Sequence, residues 1–300
     1  IAPHDRLAMV LNPGHYEVVL NRGLAYSTTH EADGSRTTGN AMPSAADQRP
    51  VVHLHGCSYT YGYGVSDSAS FPYRLQQAIP GLRIENRAVP GYGQVQPLLL
   101  LREMAANGTL PDAVVLVYNH FHKDRNALNG RFRRQFYFGR SQQEESGYLN
   151  ERPTSWHYPY ATWQQDSLAI HQADCWDIYT PLWGSRSSAL INLAESARVI
   201  GSIQRDRETL LTQQLVKAMD RLCRAHGTRF TVALMSGKED LQAFCDREGI
   251  AFVDLYVDLN QPGYRNVPYD YHPSPHAQRE LANRLLPFFL EFLEAQQPPT

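Results

Sequence analysis

The chain has 300 residues, 42% of them hydrophobic and 19% charged, with a formal net charge of −2. That is enough apolar material for one large domain, or for one domain with a small appendage. The balance supplies no general field for nucleic acid or an anionic membrane, so nucleic acid is not an expected partner, and no stretch is long and apolar enough to span a bilayer.

Four cysteines, Cys57, Cys175, Cys223 and Cys245, lack paired metal spacing and are too scattered for a disulfide scaffold. The chain opens on Ile1 rather than methionine, which leaves room for a removed signal peptide, an anchor or further chain. Compartment and oligomeric state are left unassigned.

Residues 1–50 carry two short expected strands, Tyr16 to Leu20 and Leu24 to Thr28, then a turn-rich segment at Glu31 to Arg36 and a polar, Pro-containing link. They read as a small N-terminal β appendage. From Val51 the pattern alternates strand and helix, the signature of an α/β domain with a mainly parallel, five-stranded sheet and helices on both faces.

The expected strands are 51–57, 83–89, 113–118, 229–235 and 251–257. The expected helices end at Ile79 (with Ser70 as N-cap), or cover 95–106, 207–226, 239–248 and 275–294. Residues 120 to about 190 interrupt this rhythm. They are dense in aromatics (Phe132, Phe136, Trp156, Tyr158, Trp176 and Trp183 among them) with Arg131, Arg133, Arg134 and Arg140 interleaved. So long a stretch reads as a lid or binding insertion, or as elements the pattern does not show. Its aromatics suit either sugar stacking and an acyl pocket or the core of a subdomain, and its arginines suit a solvated face better than an anionic substrate.

Four of the five strand ends deliver something useful to one sheet edge, where open α/β sheets bind ligands. Ser58 follows the first strand in a turn rich in glycine (Gly56, Gly62, Gly64), Gly91 the second, Asn119 the third, and Asp270-Tyr271-His272 the fifth. This is the set that acyl transfer needs. Ser58 is a poor nucleophile until a base takes its proton, and histidine titrates in the right range for that task at His272. Asp270 would orient the imidazole, since residues two apart in an extended segment point the same way. The backbone N–H groups of Ser58 and Gly91 and the side-chain amide of Asn119 are candidate donors to an oxyanion.

Other readings of single residues are bland. Cys57 should face away from Ser58 along the strand, which disfavours a thiolate nucleophile. His53 and His55 form an H-x-H pair without an acidic partner set nearby in sequence, so packed or hydrogen-bonded strand histidines are preferred to a metal site. The same holds for His120 with His122 and His272 with His276.

The blocks Gly56-Cys57-Ser58-Tyr59-Thr60-Tyr61-Gly62, Asn86-Arg87-Ala88-Val89-Pro90-Gly91 and Asp270-Tyr271-His272-Pro273 resemble, in order, the first, glycine and terminal blocks of the SGNH/GDSL hydrolases. The likeness covers roughly residues 50–295. It implies a flavodoxin-like three-layer α/β/α domain, a serine nucleophile, a covalent acyl-enzyme and no cofactor; a small-molecule or glycan ester is the expected substrate, the glycan mainly because of the aromatic insertion. Three positions depart from the family pattern. Cys57 stands where aspartate is usual. Asp-x-His replaces Asp-x-x-His, leaving Tyr269 at the usual acid position, with Asp270 as substitute and Asp258 as fallback. Tyr118-Asn119-His120 lacks the usual third block, so His120 or His122 stays open in place of Asn119. The preferred expectation is an esterase acting on an O-acyl carbohydrate. An O-acyltransferase using the same triad, a lipase or thioesterase, and an inactive glycan-binding domain remain its rivals.

Overall fold

In the computed structural model, which describes residues 1–20, 23–40, 47–145 and 153–295, the chain divides into two compact units. One comprises Leu11–Tyr92, Pro97–His120 and Val216 onward; the other comprises Ile1–Val10, Gly93–Gln96 and Phe121–Leu215. The division does not follow the boundary at residue 50: the first ten residues belong with the insertion, and those from Leu11 belong with the sheet. The physical reason is packing that sequence periodicity does not register, because Ala8 and Met9 join the aromatic core of the insertion. The Pro-containing link falls largely on residues 41–46, outside the described residues.

The first unit is built on a parallel sheet of β5 (Val51–His55), β6 (Arg83–Asn86), β7 (Ala113–Tyr118), β10 (Arg229–Leu234) and β11 (Ala251–Asp254). Their spatial order, β11-β10-β7-β5-β6, is the 2-1-3-4-5 order of a flavodoxin-like doubly wound sheet. In register, Leu54 lies between Asn86 and Val115. The chain moves outward from β5 to β6 through α2 (Phe71–Ala78), then reverses to β7 through α3 (Val95–Ala106). Right-handed crossovers in opposite directions put those helices on opposite faces. On the α2 face, Val52, Leu54, Ile84, Val115 and Ala233 share one core with Phe71 and Leu75 of α2 and with Leu281, Leu285 and Phe289 of α9 (Pro275–Glu294). The alternate strand residues, including His53, His55, Val114, Leu116 and Val232, are buried too, as a sheet covered on both faces requires.

A hairpin of β3 (Gly14–Val19) and β4 (Ala25–His30) belongs to the same unit. Beyond it, the Arg36 N–H donates to the Asn86 carbonyl at 2.9 Å and Thr38 Oγ1 donates to that of Ile84 at 2.7 Å, so this segment covers the exposed edge of β6.

The second unit holds the antiparallel pair β1 (Ala2–His4) and β2 (Ala8–Val10), then α4 (His122–Asn126), α5 (Gly130–Glu145), the hairpin of β8 (His157–Gln164) and β9 (Ser167–Asp174), and α6 (Ala189–Gly201). Helix α7 (Arg205–Ala225) runs from this unit's last residues into the first unit, and α8 (Lys238–Glu248) joins β10 to β11. The described part of the insertion is thus folded structure, and its expected aromatics are mostly core. Phe132, Trp156 and Tyr158 are buried together with Leu128, Cys175 and Ile178, and Phe136, Tyr160 and Trp176 pack against them. Trp156 Nε1 donates to the Ala8 carbonyl at 2.6 Å. The arginines are largely held internally rather than solvated: Arg140 donates to the carbonyls of Cys175 and Trp176, and Arg134 pairs with buried Glu195 at 3.0 Å. Among the described residues no helix is long and apolar enough to cross a membrane.

Candidate active site

The site begins with the end of β5. A Cβ on Gly56 would collide with the Thr60 side chain, so only glycine lets the strand turn this tightly into α1 (Ser58–Tyr61). Cys57 is the N-cap and Ser58 the first helical residue, with its N–H among those a helix leaves without an intrahelical acceptor. The turn out of α1 closes on Gly62 at φ +87°, whose N–H, like that of Tyr63, donates to the Ser58 carbonyl.

That turn is clamped from the N-terminal segment. The Arg36 side chain is fully buried. Its guanidinium donates to Asp67 Oδ1 at 2.8 Å and to the carbonyls of Tyr61, Gly62 and Val65 at 2.8, 2.6 and 2.7 Å. His30 Nδ1 lies 2.9 Å from the Asn12 carbonyl, which makes it the donor there, so Nε2 accepts from the Tyr61 hydroxyl at 2.8 Å. Burial lowers the His30 pKa to about 4, keeping that tautomer neutral. Removing the guanidinium would leave a partly buried carboxylate and three carbonyls without their donor. Arg36→Leu is therefore expected to cost about 3–5 kcal/mol in denaturant unfolding, and a loss under about 1 kcal/mol would mean water or rearrangement replaces the clamp.

His272 comes from the loop before α9. The Ser274 N–H donates to the Tyr264 carbonyl at 2.9 Å and the Asn266 N–H to that of His272 at 3.1 Å, while the N–H groups of Tyr269 and Asp270 both donate to Asn266. Asn266 Nδ2 in turn donates to the Gly64 carbonyl at 3.2 Å, tying this loop to the turn after α1. Asp270 and His272 meet through this tight turn rather than through an extended segment. Asp270 Oδ1 accepts the His272 backbone N–H at 2.7 Å and its Nδ1–H at 2.6 Å. The other ring nitrogen, Nε2, lies 2.8 Å from Ser58 Oγ. Burial pushes the Asp270 carboxyl up. The hydrogen bond and charge of His272, with the backbone N–H groups of His272 and Tyr271, outweigh it and hold the carboxyl below its ordinary value.

The remaining expected residues fall as follows. Gly91, at φ +92°, lies in the loop after β6, where the Val89 N–H donates to the Gly56 carbonyl at 3.4 Å. Asn119 is buried at the end of β7. Its Oδ1 accepts from Ser236 Oγ at 3.1 Å, which turns the amide nitrogen toward Cys57 Sγ, 3.9 Å away. Cys57 is itself fully buried. Asp258 caps its own loop through the Asn260 N–H, and Tyr269 is 45% exposed. His120 lies against Ser236, His122 is buried in the second unit, and His276 packs edge-on against Tyr264. His53 Nε2 lies 3.0 Å from Glu85 Oε2, in a buried group with Arg83 and Arg87, and burial lowers the pKa of both His53 and His55. Among the described residues no group of three or more His, Cys, Asp or Glu side chains converges as a metal site.

Three residues escaped the sequence reading. The Tyr59 and Tyr63 rings flank His272, with centroids 5.2 and 4.8 Å from it, and Ser236 orients Asn119. The spacing Ser58-Tyr59 and Tyr61-x-Tyr63 marks an aromatic-rich turn. Nothing in the sequence signals Ser236.

No family model matches the chain, and no curated protein matches it. Among solved structures, TesA is 14% identical, with a TM-score of 0.46 over 81% of this chain and 99% of its own. A member of the lipolytic G-D-S-L family from Veillonella parvula is 11% identical, with a TM-score of 0.43 over 80% of this chain and 98% of its own. The psychrotrophic esterase EstA from Pseudoalteromonas is 8% identical, with a TM-score of 0.44 over 82% and 99%.

Proposed function

We propose that the chain is a serine ester hydrolase of the SGNH/GDSL type. The observation that carries this reading is the continuous hydrogen-bonded relay from Ser58 Oγ through His272 to Asp270, at 2.8 and 2.6 Å. Ser58 Oγ attacks the ester carbonyl as its proton passes to His272 Nε2, and Asp270 stabilises the imidazolium. The carbonyl oxygen becomes an oxyanion, received by the N–H groups of Ser58 and Gly91 and the amide of Asn119. As the tetrahedral intermediate collapses, the C–O bond to the alcohol breaks and the alkoxide leaves with the His272 proton. Water then attacks the acyl-enzyme, giving its proton to His272, and the acid departs as Ser58 is regenerated.

The substrate we propose is an O-acyl group on a carbohydrate. The aromatics of the insertion no longer argue for this, since they fill a core. The support is instead the tyrosines of the site's own unit: Tyr271, 71% exposed beside His272, with Tyr269 and the half-buried Tyr59 and Tyr63. Their faces suit sugar rings. The test compares initial rates on p-nitrophenyl acetate, butyrate and octanoate with those on an O-acetylated xylo-oligosaccharide. Activity falling with chain length and a KM for the oligosaccharide raised several-fold by Tyr271→Ala, with p-nitrophenyl acetate unaffected, are the expected results. A preference for octanoate would replace the sugar ester with a lipid or thioester.

A further inference from the structure

We infer that helix α6 and the loop before it form a docking surface for an anionic phospholipid membrane. The surface lies wholly in the second unit and does not depend on the chemistry proposed above.

The inward side of α6 is fixed. Glu195 is fully buried and accepts from Arg134 Nε at 3.0 Å, the Tyr179 hydroxyl at 2.8 Å and the Leu182 N–H at 2.8 Å, and Val199 is buried beside it. Among the described residues the opposite side has no such covering. At 3.6 residues per turn, Leu190, Leu193, Ala194, Ala197 and Ile200 fall within about a third of the helix circumference, and every one is exposed. Leu190 is 76%, Leu193 67% and Ile200 65% exposed, and Trp183, just before the helix, is 94% exposed. Single exposed apolar side chains are ordinary, but an apolar stripe along one helix side, with an exposed tryptophan in the loop before it, marks an interaction surface.

Charge selects the occupant. Between Leu182 and Gln204 the one carboxylate is Glu195, which is buried, whereas Arg186 and Arg198 are exposed. Arg198 borders the stripe one step around the helix, and its hydrogen bonds go to neutral oxygens, the Tyr179 hydroxyl at 3.3 Å and the Thr180 carbonyl at 3.1 Å. An apolar stripe with a nearby tryptophan, a basic border and no exposed carboxylate in its own segment, 182–204, matches a helix lying in the headgroup region of an anionic leaflet. A second copy of the chain fits less well, because a twofold contact would set the same arginine border against itself. The overall charge of −2 supplies no general attraction, so the attraction has to come from a local face such as this one.

The test is co-sedimentation of the whole chain with vesicles of phosphatidylcholine alone and of phosphatidylcholine mixed with phosphatidylglycerol. Binding is expected to the mixed vesicles, to weaken with added salt, and to fall about tenfold or more in Trp183→Ser and in the double variant Leu190→Ser with Leu193→Ser. The substituted positions are exposed, and unchanged circular dichroism would show that the variants fold. Trp183→Phe, which keeps the apolar bulk, is expected to bind while losing the blue shift of tryptophan emission. Absence of binding to either vesicle, or equal binding by the variants, overturns the inference. So does a dimer in sedimentation velocity that the double variant dissolves.

Discussion

Ser58→Ala is expected to lower kcat on p-nitrophenyl acetate by about 10^4–10^6-fold, with KM little changed. The argument is geometric. Ser58 Oγ is the group that His272 Nε2 meets, and removing it leaves a relay with nothing to activate. Alanine is a good helix former, and Ser58 opens a four-residue helix whose turn is held by Arg36 and Gly62 rather than by the hydroxyl. The variant should therefore fold, and its lost rate should report chemistry. The adjacent nucleophile provides the control. Cys57 is the more reactive residue type, yet it is fully buried with Sγ facing Asn119, so Cys57→Ala should retain activity within about tenfold. The opposite pattern, with Cys57→Ala inactive and Ser58→Ala active, would transfer the nucleophile to the thiol. Equal low rates in wild type and Ser58→Ala would remove simple ester hydrolysis altogether and leave glycan binding as the stronger reading.

What the sequence made legible follows a physical divide. Helices 95–106 and 275–294 and strand 113–118 stand at their expected limits, because apolar periodicity and punctuation agree there. The strands at 51, 83 and 251 end two or three residues early. Their last apolar residues are buried in turns rather than paired in the sheet. The insertion was illegible for particular reasons. The β8–β9 hairpin turns on Gln165-Asp166, both at positive φ, where the usual signal is Asn-Gly. Helix α5 mixes arginine and aromatics around its circumference, so it shows no clean apolar stripe. The order of Ser58, Asp270 and His272 along the chain sufficed to foresee their juxtaposition, since each follows a strand of one sheet. Asn119 was placed at its strand end by the same logic, but the group that turns its amide, Ser236, follows another strand and is a serine like any other. Arg36 was invisible for a related reason: a single arginine in a turn-rich segment reads as solvated, and its four acceptors are assembled only by the fold.

Asp270→Asn is expected to lower kcat/KM by about 10^2–10^4-fold, and to do so through charge more than through position. Asp270 Oδ1 receives two donors at once, the His272 backbone N–H and its Nδ1–H. An asparagine with its oxygen in that place still accepts both, so the tautomer that presents Nε2 to Ser58 survives while the imidazolium loses its counter-charge. Stability provides a second readout with a definite sign. The folded Asp270 carboxyl is held below its ordinary value, so between the folded and unfolded pKa the unfolded chain binds more protons, and stability rises with pH across that window. The contribution is complete above the ordinary aspartate range and is lost as pH falls through the lower folded value. The stability difference between wild type and Asp270→Asn should accordingly shrink as pH is taken from about 6 toward about 3. A difference that stays constant over that range would mean the carboxylate is not paired with His272 in solution. If the variant also kept full activity, the orienting acid would have to be sought elsewhere. Asp258 is then the residue to replace, although its carboxylate now serves the Asn260 N–H and its loop would have to rearrange to reach the imidazole.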